Sequence, residues 1–418
     1  MSLDNSHSTD RRAFLACGPA IAVGSVFARS SSAADTPNEK LDSKDAVLKK
    51  LASLEANHAV LLGKAVVVGE FNDTARKYEL HKTGPRGRDF TNKVCWAPDR
   101  KRALFCGANH AVPHRLNDVW EFDLPSLTWS MLYAPDLPRG YADLGKDTSD
   151  VEFRDGLLMT KRGGPAVIAH TWWGLTYDPR HKTLLFMNTW VTEQKKAVQA
   201  LGGDPAELYT GPPLWAFYPT TRTRKPFKAV KPYPVAIFGG MLEYIPDLGG
   251  SIWHTNNWQM HGTWLHDYEK DAWKDLKANG GEAVFEKASP EPEQIGYYDP
   301  KRKIIVVHRH YATHHFDPAK LEWKAVRAGN KDDGRTPYGH DARSVFYHDP
   351  VSGHGLLAQF ETNTLWVYDP DAVTWTKLTP AGDPMPTGGK RLAYVDPIAN
   401  VLVVMDGVTI WAYRYKAA

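Results

Sequence analysis

Aromatic and polar positions recur along the chain with a fixed spacing. An aromatic residue is followed nine positions later by Trp, with an acidic residue between them, as in Trp120 to Trp129 and Trp366 to Trp375. Related segments make six anchors, which begin at Trp120, Trp215, Trp264, His314, Trp366 and Trp411. Internal similarity at a spacing of tens of residues is typical of a repeat architecture.

A second aromatic mark lies upstream of each anchor, in a strand that runs into a turn. These marks are Trp96, Tyr177, Tyr244, Tyr298, Tyr347 and Tyr394. An apolar strand follows most of the turns, so each unit forms a four-stranded meander, the unit of a propeller blade. The stretch from the second strand to the end of the third keeps one length without a gap in Ile304–Asp317, Leu356–Asp369 and Val401–Arg414. The pattern predicts an all-β fold, a six-bladed β-propeller.

Two segments qualify this prediction. Residues 132–165 are long enough to contain part of an irregular blade, so a seven-bladed ring stays an alternative. Within them, residues 151–160 predict a hairpin around Asp155 and Gly156. Other long connections occur at 191–213 and around 248–263, and connections of this length are usually functional.

The ends of the chain carry further signals. The last blade ends at Tyr415 without an outer strand, and we expect Lys64–Gly69 or Lys77–Leu80 to supply it, because an open edge would otherwise be exposed. Ser43 followed by Val47, Leu48, Leu51 and Leu54 predicts a short amphipathic helix, capped by the serine, on the outside of the ring. We divide the chain into a leader (1–34), an extension with this helix (35–63) and the propeller (64–418).

The leader contains Arg11 and Arg12, a short apolar run over 13–27 and small residues up to Ala34. It resembles a twin-arginine signal peptide, which implies export to the periplasm or the medium. The apolar run is too short to span a bilayer permanently. We therefore predict no stable membrane span.

Charge and composition limit the classes of function. Lys plus Arg number 51 against 48 for Asp plus Glu, a net charge of +3, which argues against a nucleic-acid partner. Fifteen Trp and 18 Tyr beside 33 Gly and 29 Pro are typical of short strands and frequent turns. The sequence contains no Gly-x-Ser-x-Gly motif, P-loop or sialidase Asp box. We expect a monomer.

The segments 117–129 and 365–375 resemble the kelch repeat, and the resemblance covers roughly residues 65–415. It implies a ring whose ligand-binding face is built from the loops between the second and third strands and between successive blades. We call this the upper face. The turns between the first and second and between the third and fourth strands form the lower face.

Histidines are concentrated at positions that this geometry assigns to the upper face. His170 and His340 lie seven residues before the aromatic marks of blades 2 and 5. The ends of second strands contribute His110, His114, His254, His308, Arg309, His310 and Tyr311. Single histidines can equally hold neighbouring blades together. As a set they predict a site for acid–base chemistry or for binding sugar oxygens, and a divalent metal held by histidines stays open.

Aromatic and cationic side chains accompany these histidines. Trp172, Trp190 and Trp258 offer flat surfaces on which sugar rings stack. The combination is similar in kind to the face of propeller polysaccharide lyases, including ulvan and oligogalacturonate lyases. That resemblance implies β-elimination on an acidic polysaccharide, with Arg343 or Arg309 pairing with the uronate carboxylate. His170, His308, His310 or Tyr311 would then supply the acid and the base, and His340 would bind substrate.

A non-catalytic propeller that binds glycan or protein on the same face is the alternative to a lyase.

Cys95 and Cys106 flank one turn of blade 1 almost symmetrically, so we predict that they lie close together and form a disulfide in an oxidising compartment.

Overall fold

The computed structural model describes residues 37–85, 87–88, 91–108, 115–139, 143–168, 171–188, 194–234, 240–257, 260–280, 294–340 and 343–417. The helices are α1 (Pro37–Ala52), α2 (Asp73–Lys77), α3 (Leu80–Thr83) and α4 (Gln194–Ala200). None of the helices within these ranges has the length and apolar character that crossing a bilayer requires. The predicted leader lies outside the described residues.

Strands make up most of the fold. They are β1 (His58–Lys64), β2 (Val66–Gly69), β3 (Cys95–Ala97), β4 (Arg102–Phe105), β5 (Val119–Asp123), β6 (Thr128–Tyr133), β7 (Val151–Arg154), β8 (Leu157–Thr160), β9 (Leu175–Asp178), β10 (Thr183–Met187), β11 (Leu214–Tyr218), β12 (Thr223–Phe227), β13 (Met241–Ile245), β14 (Gly250–Asn257), β15 (Met260–Asp267), β16 (Ala272–Asp275), β17 (Ile295–Asp299), β18 (Ile304–Arg309), β19 (Ala312–Asp317), β20 (Glu322–Arg327), β21 (Ser344–Asp349), β22 (His354–Gln359), β23 (Thr364–Asp369), β24 (Thr374–Leu378), β25 (Ala381–Gly382), β26 (Arg391–Asp396), β27 (Val401–Asp406) and β28 (Thr409–Arg414).

Six antiparallel meanders form the ring. The blades are β3 to β6, β9 to β12, β13 to β16, β17 to β20, β21 to β24, and β26 to β28 completed by β1. The prediction of an all-β, six-bladed propeller is confirmed. Within the described residues of 132–165 no seventh blade forms, because they contribute the predicted two-stranded hairpin of β7 and β8, whose turn has Asp155 at φ 52° and Gly156 at φ 76°. The expected long connection around 248–263 is instead the extended hairpin of β14 and β15.

Left-handed backbone recurs at two positions in every blade, and at every one of these positions except Asn57 it lies in a turn between consecutive strands. A residue with left-handed backbone precedes each second strand, with φ between 51° and 71°, at Lys101, Lys182, Gly249, Lys303, Gly353 and Asn400. Another precedes each fourth strand, with φ between 46° and 57°, at Asn57, Leu127, Arg222, Asp271, Leu321 and Val373. The acidic residue of the sequence repeat shapes the second of these turns, as Asp317 does by accepting backbone N–H bonds from Ala319 and Lys320 at 3.0 and 3.1 Å.

The N-terminal part of the chain closes the ring, one strand earlier than predicted. β1 pairs antiparallel with β28, with Ala59 opposite Tyr413. The predicted segment 64–69 instead contains β2, which runs parallel to the outer strand of blade 1, with Val67 opposite Trp129. The other predicted segment, 77–80, belongs to the short helices α2 and α3. The propeller thus begins at His58 rather than at residue 64.

Helix α1 packs beside this closure. It starts at Pro37, so Ser43 lies within the helix and is not its cap. Val47 and Leu51 are buried in the same apolar cluster as Leu62 of β1, whereas Leu48 is exposed. The predicted amphipathic helix on the outside of the ring is therefore present, although it begins earlier than expected.

Candidate functional site

Much of the predicted upper face lies outside the described residues. This applies to His110, His114, His170, Trp190 and Trp258. Their roles stay predictions. The described part of the face is best defined on blades 4 and 5, where six of the predicted residues can be placed.

His308 is a buried residue between blades 4 and 5. Its Nε2 lies 2.9 Å from the carbonyl oxygen of Pro337, which can only accept, so Nε2 carries the proton. Nδ1 therefore accepts from the hydroxyl of Thr313 at 3.0 Å, and that hydroxyl accepts the indole N–H of Trp375 at 2.9 Å. Burial lowers the pKa of His308 to about 4. Both ring nitrogens are occupied in the neutral form, which gives His308 a structural role in place of the predicted acid–base role.

His254 repeats this arrangement one blade earlier. Its Nδ1 lies 3.1 Å from the hydroxyl of Thr263, which accepts the indole N–H of Trp323 at 2.9 Å. The imidazole packs on that indole with ring centres 4.3 Å apart. His254 is thus part of a buried contact between blades, not an exposed ligand for substrate. The sequence signal of this motif is a His and a Thr on paired strands followed by the outer Trp of the next blade.

Four rings form an aromatic cluster at the boundary of blades 4 and 5, consisting of His310, Tyr311, Tyr338 and His340. The imidazole of His310 stacks on Tyr338 with ring centres 5.3 Å apart and planes 3° apart. Tyr311 and His340 lie 5.3 and 5.9 Å from the same phenol ring. His310 and Tyr338 are partly exposed. The sequence interpretation missed Tyr338, the ring that the other three share.

Backbone hydrogen bonds hold this aromatic cluster in place. The N–H of His310 donates to the carbonyl oxygen of Gly339 at 2.8 Å, and the N–H of Gly339 donates back to His310 at 2.7 Å. His310 lies in the tight turn between β18 and β19 with φ 50°. Two loops from adjacent blades are therefore joined directly beneath the stacked rings.

The titration of the cluster follows from burial. Burial lowers the pKa of His340 to about 4, and the charges of Arg343 and His310 act in the same direction. Burial also raises the pKa of the Tyr311 hydroxyl, as do the carboxylates of Asp332, Asp333 and Glu361. At neutral pH the imidazole of His340 is neutral and the phenol of Tyr311 keeps its proton. Tyr311 can donate a hydrogen bond there but is poorly suited to the predicted role of base.

The two arginines of the predicted site differ in exposure. The Arg343 side chain is half exposed, and its Nη1 lies 3.2 Å from a carboxylate oxygen of Glu361 in the next loop. Arg309 is buried, with 6% of its surface exposed. Arg343 is therefore the guanidinium beside the aromatic cluster that a ligand can reach.

Three remaining predictions concern stacking, a disulfide and a metal. Trp172 is 4% exposed, so it is a buried residue and not a surface on which a sugar stacks. Cys95 and Cys106 are free buried thiols, because the pairing places Cys95 opposite Leu104 and leaves Cys106 two residues further along. Diagonal neighbours on paired strands lie about 7–8 Å apart, too far for an unstrained disulfide. Among the described residues, no group of three His, Cys, Asp or Glu side chains could hold a metal ion.

The fold defines a six-bladed β-propeller. No protein-family model matches the chain, and no curated protein is similar to it. Among solved structures it is similar to TolB from Acinetobacter baumannii, with 14% identity and a TM-score of 0.37 over 70% of this chain and 54% of TolB. It is also similar to an auxiliary nutrient binding protein from Bacteroides ovatus, with 8% identity and a TM-score of 0.48 over 85% of this chain and 76% of that protein.

Proposed function

We propose that the protein is an exported kelch-type propeller that binds an acidic polysaccharide on its upper face, at the aromatic cluster of blades 4 and 5. The observation that carries this proposal is the partly exposed stack of His310 on Tyr338, with the half-exposed guanidinium of Arg343 nearby in sequence and structure. A flat ring surface beside a cation suits a sugar ring that bears a carboxylate.

The electrostatics favour exchange of one carboxylate for another. Arg343 and Glu361 are both exposed by half or more, with 50% and 57% of their side-chain surfaces in contact with solvent. Such a surface pair contributes only about 0–1 kcal/mol, because water screens it. A uronate carboxylate can therefore replace Glu361 on the guanidinium at small cost, while the sugar ring covers Tyr338.

The same aromatic cluster supports a second candidate function, which is β-elimination of the bound uronate. His340 is unprotonated at neutral pH and would act as the base, a weak one because burial lowers its pKa to about 4, and the protonated Tyr311 hydroxyl can donate a proton. This assignment of His340 and Tyr311 differs from the sequence-based prediction. There, His340 only binds substrate, and His308 is among the candidates for acid and base. Elimination requires His340 to become accessible when substrate binds, since this imidazole is now buried.

The test uses the chain from residue 35 onward with ulvan, pectate and glycosaminoglycans. Affinity is measured by titration calorimetry, and elimination by the absorbance of unsaturated uronate. Tyr338→Ala and Arg343→Gln should each weaken binding about tenfold, the loss of roughly one stacking or charge-assisted contact.

Two matched controls accompany these variants. Tyr268→Ala removes a stacked His–Tyr pair on the lower face, where the rings of Tyr268 and His181 lie 3.7 Å apart. Arg154→Gln removes another exposed arginine, paired with Glu152 at 3.3 Å. Both should bind as the parent does. Absence of binding to every acidic glycan, or equal losses in the controls, would refute the proposal, whereas binding without new absorbance would leave binding alone as the function.

A further inference from the structure

The lower end of the central channel contains a second candidate site. It is a cavity of about 300 Å³ on the axis of the ring, lined by residues of the first strand and following turn of all six blades. Six aromatic side chains contribute to the wall, namely Trp96, Tyr177, Tyr244, Tyr297, Tyr298 and Tyr347. They converge because blades 1 to 5 each place an aromatic residue just before the turn to the second strand, and blade 4 adds Tyr297; blade 6 contributes Val395 and Pro397.

The cavity wall contains one buried ion pair. The ammonium group of Lys93 lies 2.7 Å from a carboxylate oxygen of Glu243, and the two side chains are only 6% and 18% exposed. Lys93 also donates to the carbonyl oxygen of Leu242 at 3.2 Å and lies 5.2 Å from the ring centre of Trp173. The pair is therefore fixed in position before any ligand enters.

Several aromatic groups of the wall are fixed as well. The Tyr347 hydroxyl donates to the carbonyl oxygen of Ala393 at 2.6 Å and accepts the N–H of Val94 at 3.1 Å. The Tyr298 hydroxyl donates to Asp247. Tyr244 is partly exposed, and within the described part of the chain its hydroxyl has no hydrogen-bond partner. Tyr244 can therefore bond a group that enters the cavity.

The charges of the wall select against ions. Lys93 and Glu243 neutralise each other, and burial lowers the pKa of His348, the remaining titratable group of this wall that could carry a positive charge near neutral pH. A charged ligand would find no net opposite charge and would lose its hydration on entry. A neutral ligand with hydroxyl groups can instead donate to Glu243 and accept from Lys93 without separating them.

We propose that this axial cavity binds one neutral sugar residue, stacked on the aromatic wall and hydrogen-bonded to Lys93, Glu243 and Tyr244. The site lies on the face opposite the aromatic cluster of blades 4 and 5 and does not depend on the function proposed for that cluster. Its volume accommodates the end of a glycan chain that enters along the axis, so it would recognise a terminal residue.

The experiment uses the chain from residue 35 onward and methyl glycosides of common neutral hexoses and pentoses, with glucuronate as the charged comparison. Saturation-transfer NMR and calorimetry should show that at least one neutral glycoside binds and that glucuronate does not compete with it. Tyr244→Ala should weaken this binding about tenfold, and Tyr244→Phe should weaken it less, because the ring remains.

Glu243→Gln should change which ligand the cavity prefers, and this is an effect that a purely structural role of Glu243 would not produce. It leaves Lys93 as an uncompensated cation, so the cavity should lose affinity for the neutral glycoside and gain affinity for glucuronate. Tyr338→Ala, in the aromatic cluster, should leave the affinity for the neutral glycoside unchanged and thus separates the two sites. Failure of every neutral glycoside to bind, or binding that Tyr244→Ala and Glu243→Gln leave unchanged, would overturn the proposal.

Discussion

Trp375 of blade 5 donates its indole N–H to the hydroxyl of Thr313 in blade 4 at 2.9 Å. The same hydroxyl bonds Nδ1 of His308 at 3.0 Å, and the imidazole lies 4.6 Å from the indole ring. One buried threonine therefore satisfies polar groups from both sides of a blade boundary. An equivalent contact joins blades 3 and 4, so this motif is a recurrent means of holding the ring together.

Replacing this threonine should destabilise the ring. Thr313→Val leaves the indole N–H of Trp375 and Nδ1 of His308 without partners, and each unpaired buried group costs about 1–3 kcal/mol. Thr376→Val, at an exposed position of β24, should change the free energy of unfolding by no more than about 0.5 kcal/mol. Urea unfolding of both variants measures the difference, and equal stabilities would contradict the role of Thr313.

Truncation separates ring closure from helix packing. A chain that begins at Ala65 lacks β1 and exposes the edge of β28, so we expect aggregation and loss of cooperative unfolding. A chain that begins at Ser53 keeps the closed ring and loses only α1, including the burial of Val47 and Leu51. It should keep the oligomeric state of the longer chain and have a lower midpoint of unfolding. Size-exclusion chromatography and thermal unfolding compare the two, and similar behaviour would argue against β1 as the closing strand.

Acid should destabilise the fold through buried neutral histidines. Burial lowers the pKa of His308 and His340 to about 4 and that of His314 to about 3, against about 6.5 in an unfolded chain. Between about pH 6.5 and pH 4 the unfolded chain therefore binds more protons, so the stability present above pH 6.5 is lost as pH falls. Each histidine contributes a slope of up to about 1.4 kcal/mol per pH unit.

Urea unfolding at several pH values across this window measures that slope. His308→Gln should reduce it by the share of one histidine, although the variant is less stable at neutral pH because its contacts with Thr313 and Pro337 change. A free energy of unfolding that stays constant from about pH 7 to about pH 5 would contradict the prediction.

The cysteines should be unreactive in the folded protein. Burial raises the pKa of Cys95 to about 12 and that of Cys106 to about 11, so almost no thiolate forms at pH 8. A thiol reagent should label neither residue in the native state and both in denaturant. Labelling of neither residue in denaturant, reversed by a reductant, would instead demonstrate the disulfide predicted from the sequence.

The repeat could be predicted from the sequence because each blade uses the same local chemistry. The aromatic residue, the aspartate and the outer Trp form a strand, a turn and a strand that depend on neighbours close in the chain. Ring closure was harder to predict, since β1 and β2 have similar apolar composition and their partners lie in different blades. Pairing with β28 depends on the path of the whole chain, which local patterns do not encode.

The site was predicted less accurately because side-chain direction at strand ends depends on turn geometry. His308 and His310 are two residues apart, which in a continuous strand would place both on one side. His310 lies beyond the strand, in a left-handed turn, so His308 is buried while His310 joins the stacked rings. Tyr338 comes from a connection between blades, a position without any repeat to mark it.

The closing sheet joins the first strand of the propeller to its last strand. His58 pairs with Arg414, so the strand that completes blade 6 must wait for nearly the whole chain before it finds its partner. Contacts of such large sequence separation form late, since the intervening chain must first be ordered. The rate at which the ring becomes complete should therefore be governed by this final docking step, and blades 2 to 5 can be structured before it.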